Sequence, residues 1–155
     1  MKNVLFPLIA LALLLGTTVN AQVKALVGGT LIDGFGGHPI HNSVILIDGD
    51  RITAIGHQGN LVVPSEAEVI STEGMSVLPG LWDMHVHLMI NGHADYAHWD
   101  TAYIDKLGDI IMPASAHQLL MAGVTSARDL GAPLKESIDV RDRINNGEIP
   151  GPTMY

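Results

Sequence analysis

The sequence predicts an α/β protein in which a small β-sandwich precedes parallel β/α units. Residues 22–76 consist of short β-branched runs and glycine-rich turns with no helical periodicity, which is typical of a β-sandwich or open sheet. Residues 77–155 alternate apolar strand-like runs with helix-like segments. Such alternation favours parallel strands joined by right-handed helical crossovers.

The first 21 residues have the pattern of a signal peptide. Lys2 is followed by the apolar run Val4 to Leu15, and small residues lead to Ala21. The run is shorter than the roughly 20 residues that a membrane-spanning helix needs. We therefore expect cleavage after Ala21 and an exported protein, periplasmic or secreted. An uncleaved membrane anchor is the alternative.

In the β-rich region, Ser43 to Ile47 and Arg51 to Gly56 are two β-branched runs separated by an Asp-Gly turn, which predicts a hairpin. Residues 23–32 and 68–71 supply further strands. In the second region we expect a polar loop over residues 91–100 and glycine-terminated helices. The predicted order there is strand 81–88, helices 103–112 and 114–122, strand 124–130, helix 134–146 and strand 149–155.

The composition limits the functions that the chain can have. The formal net charge is −8, which disfavours nucleic acid and anionic membranes as partners. A small-molecule substrate is expected instead, and a homo-oligomer is left open. The chain has no cysteine, so a metal ion would have to be held by His, Asp, Glu or a modified Lys.

His85 and His87 are the candidate metal ligands. In a strand, residues two apart point to the same face with Cα atoms about 6.6 Å apart, so both imidazoles can converge on one ion. Asp83 lies on the same face, where its carboxylate could accept the outer N–H of an imidazole and fix its tautomer. A pair of surface or cross-strand histidines is the bland alternative, because a bare His-x-His pattern is weakly specific.

The run VLPGLWDMHVH, residues 77–87, resembles the first barrel strand of the amidohydrolase superfamily. GGTLIDGFGG and SVILIDGDRITAIG resemble the β-sandwich that flanks the barrel in that family. AGVTSARDLG, residues 122–131, resembles its second strand, and GEIPGP, residues 147–152, the entry to its third. The resemblance is closest to the prolidase and imidazolonepropionase-like branch, which includes exported dipeptidases.

This resemblance implies the start of a (β/α)8 TIM-like barrel preceded by a small β-sandwich, truncated after about two β/α units. It divides the chain into a signal peptide (1–21), an N-terminal β-sandwich (22–76) and an incomplete hydrolase barrel (77–155). It also implies one or two divalent metal ions, zinc above all, with His85 and His87 as the first two ligands. The other ligands and the catalytic base are expected beyond residue 155, so no catalytic residue is assigned and the chain alone is expected to be inactive.

Four further residues are candidates for substrate binding. His93, His98 and Trp99 follow the first barrel-like strand, where a loop would overhang the active-site mouth. Arg128 ends the next strand and could reach a substrate carboxylate. The alternatives are loop aromatics that pack on neighbouring loops, and an ion pair between Arg128 and Asp129.

The implied activity is metal-assisted hydrolysis of amide or peptide C–N bonds in small substrates of the dipeptide or N-acyl amino acid type. Two alternatives stay open. One is deamination, or lactone or phosphoester hydrolysis, on the same fold. The other is a secreted β-rich binding module without catalysis, in which the histidine pair is incidental.

Overall fold

The computed structural model describes residues 22–90 and 95–155. The chain divides into two compact units, with the boundary between Val77 and Leu78. The predicted signal peptide, residues 1–21, lies outside the described residues. Within the described ranges, no helix has both the length and the apolar character needed to cross a bilayer.

The first unit contains a four-stranded sheet of order β4-β3-β1-β5 and a separate two-stranded ladder, β2-β6. β1 pairs antiparallel with β3 and parallel with β5, and β2 pairs parallel with β6. The core of this unit is small and lies between the side chains of Ala25, Val44 and Leu46. The strands are β1 (Lys24–Val27), β2 (Thr30–Leu31), β3 (Ser43–Asp48), β4 (Arg51–His57), β5 (Glu68–Ser71) and β6 (Ser76–Val77).

The predicted hairpin is confirmed. β3 and β4 are antiparallel, and Asp48 pairs with Arg51 across a two-residue loop. Gly49 has a φ of 58°, a left-handed conformation that costs glycine little. The Asp-Gly signal therefore marks the turn for the reason that the sequence suggested.

The second unit is a three-stranded parallel sheet of order β7-β8-β9 with helices in both crossovers. This is the predicted strand–helix alternation. The last strand is shorter than the predicted span 149–155, since Pro150 and Pro152 have no N–H to give to a ladder. The elements are β7 (Leu81–Val86), α1 (Tyr96–Ala102), α2 (Met112–Met121), β8 (Val124–Asp129), α3 (Leu134–Asn145) and β9 (Thr153–Met154).

The crossover from β7 to β8 differs from the prediction. The expected loop over residues 91–100 is wrong for its second half, where α1 begins at Tyr96. Asp95 precedes the helix, and its Oδ1 accepts the N–H of His98 at 3.1 Å, which is an N-cap. A 3₁₀ turn (Ile104–Lys106) and a π-helical turn (Leu107–Ile111) then lead directly into α2, where two separate helices were expected.

The core of the second unit lies between the sheet and its helices. Gly123 and Gly147, with φ of 89° and 74°, follow α2 and α3 and end them as predicted. The buried core side chains are Val86, Leu88, Leu107, Ile111, Met112, Ala116, Ala127, Val140, Ile144 and Met154.

Candidate metal centre at the carboxyl end of β7

His85 and His87 lie at the carboxyl end of β7, and their rings face each other. The two Nε2 atoms are 3.1 Å apart. The ring centroids are 5.0 Å apart and the ring planes are inclined by 66°. His85 is exposed and His87 is partly buried, so an ion could approach the pair from solvent.

The spacing fits two ligands of one metal ion. With Zn–N bonds of about 2.0–2.1 Å, an Nε2–Nε2 separation of 3.1 Å corresponds to an N–Zn–N angle of about 100°. That angle lies between the tetrahedral and the square values. The two rings can therefore supply two nitrogen ligands to one ion. Two imidazoles fill only part of a zinc coordination sphere.

His87 is held from its other side by the backbone. Its Nδ1 lies 3.4 Å from the carbonyl oxygen of Gly131, which follows β8. A carbonyl oxygen only accepts hydrogen bonds, so Nδ1 carries the proton in this contact. Nε2 is then left with a free lone pair, which is the form that a metal requires.

Asp83 does not contact an imidazole as the sequence suggested. Its Oδ1 accepts the backbone N–H of His85 at 3.0 Å. The contact braces the strand next to the ligand and leaves the outer nitrogen of His87 to the Gly131 carbonyl. Among the described residues, Asp83 has no hydrogen bond to an imidazole. That Asp83 fixes the tautomer of a histidine stays a prediction.

A cleft of about 490 Å³ adjoins the pair, a size within the usual range for small-molecule sites. His85, His87 and Asp83 lie on its strand side. Ser115 and Gln118 of α2 add polar groups on the other side. The cleft is thus lined by hydrogen-bonding side chains in addition to the histidine pair.

Arg128 and His98 are not among the residues that line this cleft. Arg128 donates from Nε to the Met84 carbonyl oxygen at 3.2 Å, and makes no ion pair with Asp129 or any other described residue. His98 packs edge-on against Tyr103, with centroids 5.9 Å apart. His93 and the side chain of Trp99 lie outside the described part of the chain.

A complete metal site is absent from the described ranges. No group of three or more His, Asp or Glu side chains there is arranged to hold an ion. The sequence reasoning also missed Gly131, Ser115 and Gln118. Gly131 ends the second strand motif, but nothing local to it indicates that its carbonyl meets a histidine 44 residues earlier.

The known proteins that resemble this chain include several hydrolases. No protein-family profile matches the chain. A dihydroorotase of Pelotomaculum thermopropionicum is 41% identical over 61 residues, which are 39% of this chain and 13% of that protein. The chain therefore spans a small part of the curated relative that it matches.

Solved structures match most of this chain. Molinate hydrolase aligns with 88% of it at a TM-score of 0.74 and 29% identity, and phenylurea hydrolase B with 86% at 0.76 and 25%. A Xaa-Pro dipeptidase with bound methionine in the active site aligns with 86% at 0.68 and 25%. The chain covers 30%, 30% and 32% of these proteins, respectively.

The matched structures, the dihydroorotase segment and the order of the motifs along the chain agree with one another. The structure is a mixed α/β fold, and its relatives are amidohydrolase-type hydrolases that include prolidases. The chain is similar in structure to hydrolases of the amidohydrolase superfamily and spans about 30% of their length.

Proposed function

We propose that this protein serves as a metal-dependent hydrolase that cleaves amide or peptide C–N bonds in small substrates of the dipeptide or N-acyl amino acid type. The observation that carries the proposal is the 3.1 Å separation of the His85 and His87 Nε2 atoms at the end of a parallel strand. The similarity to a Xaa-Pro dipeptidase supports the substrate class.

In this proposal the second unit supplies the first strands of a (β/α)8 barrel, and the first unit is the β-sandwich that precedes it. Active sites of such barrels form at the carboxyl ends of the strands. His85 and His87 lie at that end of β7, and Asp129 lies at that end of β8. The parallel order β7-β8-β9 brings these ends to one edge of the sheet.

His85 and His87 would hold one divalent cation through their Nε2 atoms, with zinc as the expected metal and a second ion left open. A cation bound there supplies a Lewis acid that polarises a carbonyl and lowers the pKa of water. Asp83 steadies the strand under His85, and the Gly131 carbonyl orients His87. The remaining ligands and the proton-transferring base are not assigned to any described residue.

The cleft beside the pair would receive the substrate. Its volume of about 490 Å³ suits a dipeptide-sized molecule. Ser115 and Gln118 offer hydrogen bonds to an amide or a carboxylate across the cleft from the histidines. We also propose export after removal of residues 1–21, a small-molecule partner rather than nucleic acid, and substrate contacts from His93, His98, Trp99 and Arg128.

The test begins with metal content. The protein, expressed from its complete coding sequence, is stripped of metal, incubated with zinc, cobalt or manganese, and measured by elemental analysis. His85→Ala and His87→Ala should each lose bound metal. His117→Ala is the matched control, because His117 is an exposed histidine on α2 outside the cleft. Equal metal content in all four proteins would defeat the ligand assignment.

Activity is then measured on Xaa-Pro dipeptides and N-acyl amino acids, before and after metal removal. Hydrolysis that disappears on stripping and returns with zinc supports the proposal. Dihydroorotate belongs in the same panel because of the dihydroorotase match. Metal binding with turnover of a nucleobase, lactone or phosphoester alone would move the function to the other chemistries of this fold. A metal-free protein without hydrolysis would favour a binding module.

A further inference from the structure

The turn that follows β8 is tied to the end of β7. Asp129 Oδ1 accepts the N–H of Gly131 at 3.1 Å, so the carboxylate closes a tight turn on its own backbone two residues later. The N–H of Leu130 donates to the Val86 carbonyl oxygen at 3.0 Å. The first contact shapes residues 129–131, and the second ties them to Val86, which directly precedes His87.

Gly131 is a glycine because the His87 ring lies where a side chain would be. A Cβ built on Gly131 would overlap Nδ1 and Cε1 of His87. The backbone of Gly131 does not adopt a left-handed φ, so conformational freedom does not explain the residue. The close approach is what brings the Gly131 carbonyl within reach of Nδ1.

The same geometry implies that the two imidazole rings carry their protons on different nitrogens. If His87 carries its proton on Nδ1, its Nε2 is an acceptor, and the 3.1 Å contact then requires His85 Nε2 to be the donor. If both contacts are hydrogen bonds, His87 is protonated on Nδ1 and His85 on Nε2 in the metal-free protein. Only His85 has to move a proton to present both lone pairs to one ion.

We propose that Asp129 and Gly131 are positioning residues that fix the tautomer of His87 and keep its Nε2 free. Asp129 acts through the Gly131 backbone, and among the described residues it has no hydrogen bond to either ring. Its other oxygen, Oδ2, is buried and has no hydrogen-bond partner among the described residues. The consequence for metal binding rests on the proposed function, whereas the tautomer assignment does not.

The test is a long-range proton–nitrogen correlation spectrum of the ¹⁵N-labelled, metal-free protein at about pH 8.5, above the ordinary imidazole pKa of about 6.5. We expect His87 to give the Nδ1–H pattern and His85 the Nε2–H pattern. Asp129→Ala and Gly131→Ala should convert His87 to a mixture or to the Nε2–H form. Asp129→Asn keeps an oxygen for the Gly131 N–H and should retain the wild-type pattern.

Wild-type His87 protonated on Nε2 would overturn the inference even if no variant folded. An unchanged His87 pattern in a folded Asp129→Ala would remove Asp129 from it. Cobalt titration gives the second readout, with about 10- to 100-fold weaker binding expected for Asp129→Ala and near wild-type binding for Asp129→Asn. Absence of cobalt binding in the wild type, with the expected tautomers, would overturn the proposed function and support the tautomer assignment.

Discussion

The side-chain amide of Asn145 makes two hydrogen bonds with the backbone of Met154, like those that a neighbouring strand would make. Its Nδ2 donates to the Met154 carbonyl oxygen at 2.9 Å, and its Oδ1 accepts the Met154 N–H at 2.9 Å. β9 has only two residues and pairs with β8 along one edge. The last residue of α3 thus holds the short strand from its other edge.

Asn145→Ala should destabilise the second unit, because both Met154 backbone groups lose their partner in a partly buried site. We expect a loss of about 1–3 kcal/mol in the free energy of unfolding, measured by chemical denaturation, and faster hydrogen exchange at the Met154 amide. Asn145→Asp keeps the acceptor but loses the donor, so its amide exchange should lie nearer the wild type. An unaltered exchange rate of the Met154 amide in Asn145→Ala would show that the two hydrogen bonds between Asn145 and Met154 are not formed.

Arg128 should support His85 through the backbone. Its Nε bonds the Met84 carbonyl in the part of β7 where the pairing register with β8 shifts. Arg128→Ala frees that carbonyl, and since the side chain is exposed we expect a stability cost of about 1 kcal/mol or less. Zinc affinity should weaken by a few-fold as His85 gains freedom.

The control for Arg128 is Arg141→Ala. Arg141 pairs with its neighbour Asp142 on α3. An unchanged zinc affinity in Arg128→Ala would contradict the bracing role, whereas a raised KM would report the proposed substrate contact separately.

Gly80 should tolerate no side chain, because a Cβ there would overlap the Thr125 side chain at the start of β8. Thr125 is β-branched and stiff, so the overlap cannot be relieved by a rotamer change alone. Gly80→Ala should cost about 1–3 kcal/mol in unfolding free energy. Thr125→Ala in the same chain should restore part of that loss, and strict additivity of the two changes would argue against the contact.

Trp82 and Tyr155 should be energetically coupled. Their rings are stacked with centroids 5.3 Å apart and planes inclined by 21°. A double-mutant cycle with Trp82→Leu and Tyr155→Leu should give a coupling of about 0.5–1.5 kcal/mol. Tyr155→Phe retains a ring and serves as the control. A coupling near zero would mean that the two rings do not meet in solution.

Local chemistry explains what the sequence could predict. The hairpin follows from Asp48-Gly49, the ends of α2 and α3 from Gly123 and Gly147, and the facing of His85 and His87 from the two-residue period of a strand. Each of these signals acts within a few residues, so it is visible in the sequence. Metal binding by the pair is still a prediction, since no metal site of three or more ligands occurs among the described residues.

What could not be predicted depends on contacts between distant residues or on competing local signals. The Gly131 carbonyl meets His87 across 44 positions, and Arg128 meets Met84 across the same separation. α1 was missed because its polar and aromatic residues suggest a loop, while Asp95 supplies the N-cap that starts a helix. The π-helical turn before α2 lacks a signature that separates it from an ordinary helix.

The outer edge of β7 also affects how residues 22–155 would behave if they were expressed alone. Leu81, Trp82 and Met84 are 53%, 57% and 48% exposed, on the strand at one end of a parallel sheet. Parallel sheets in stable proteins are covered on both faces, and bare apolar edges recruit other chains. Residues 22–155 expressed alone should therefore associate through β7, and detergents or a solubilising fusion should prevent that association better than salt.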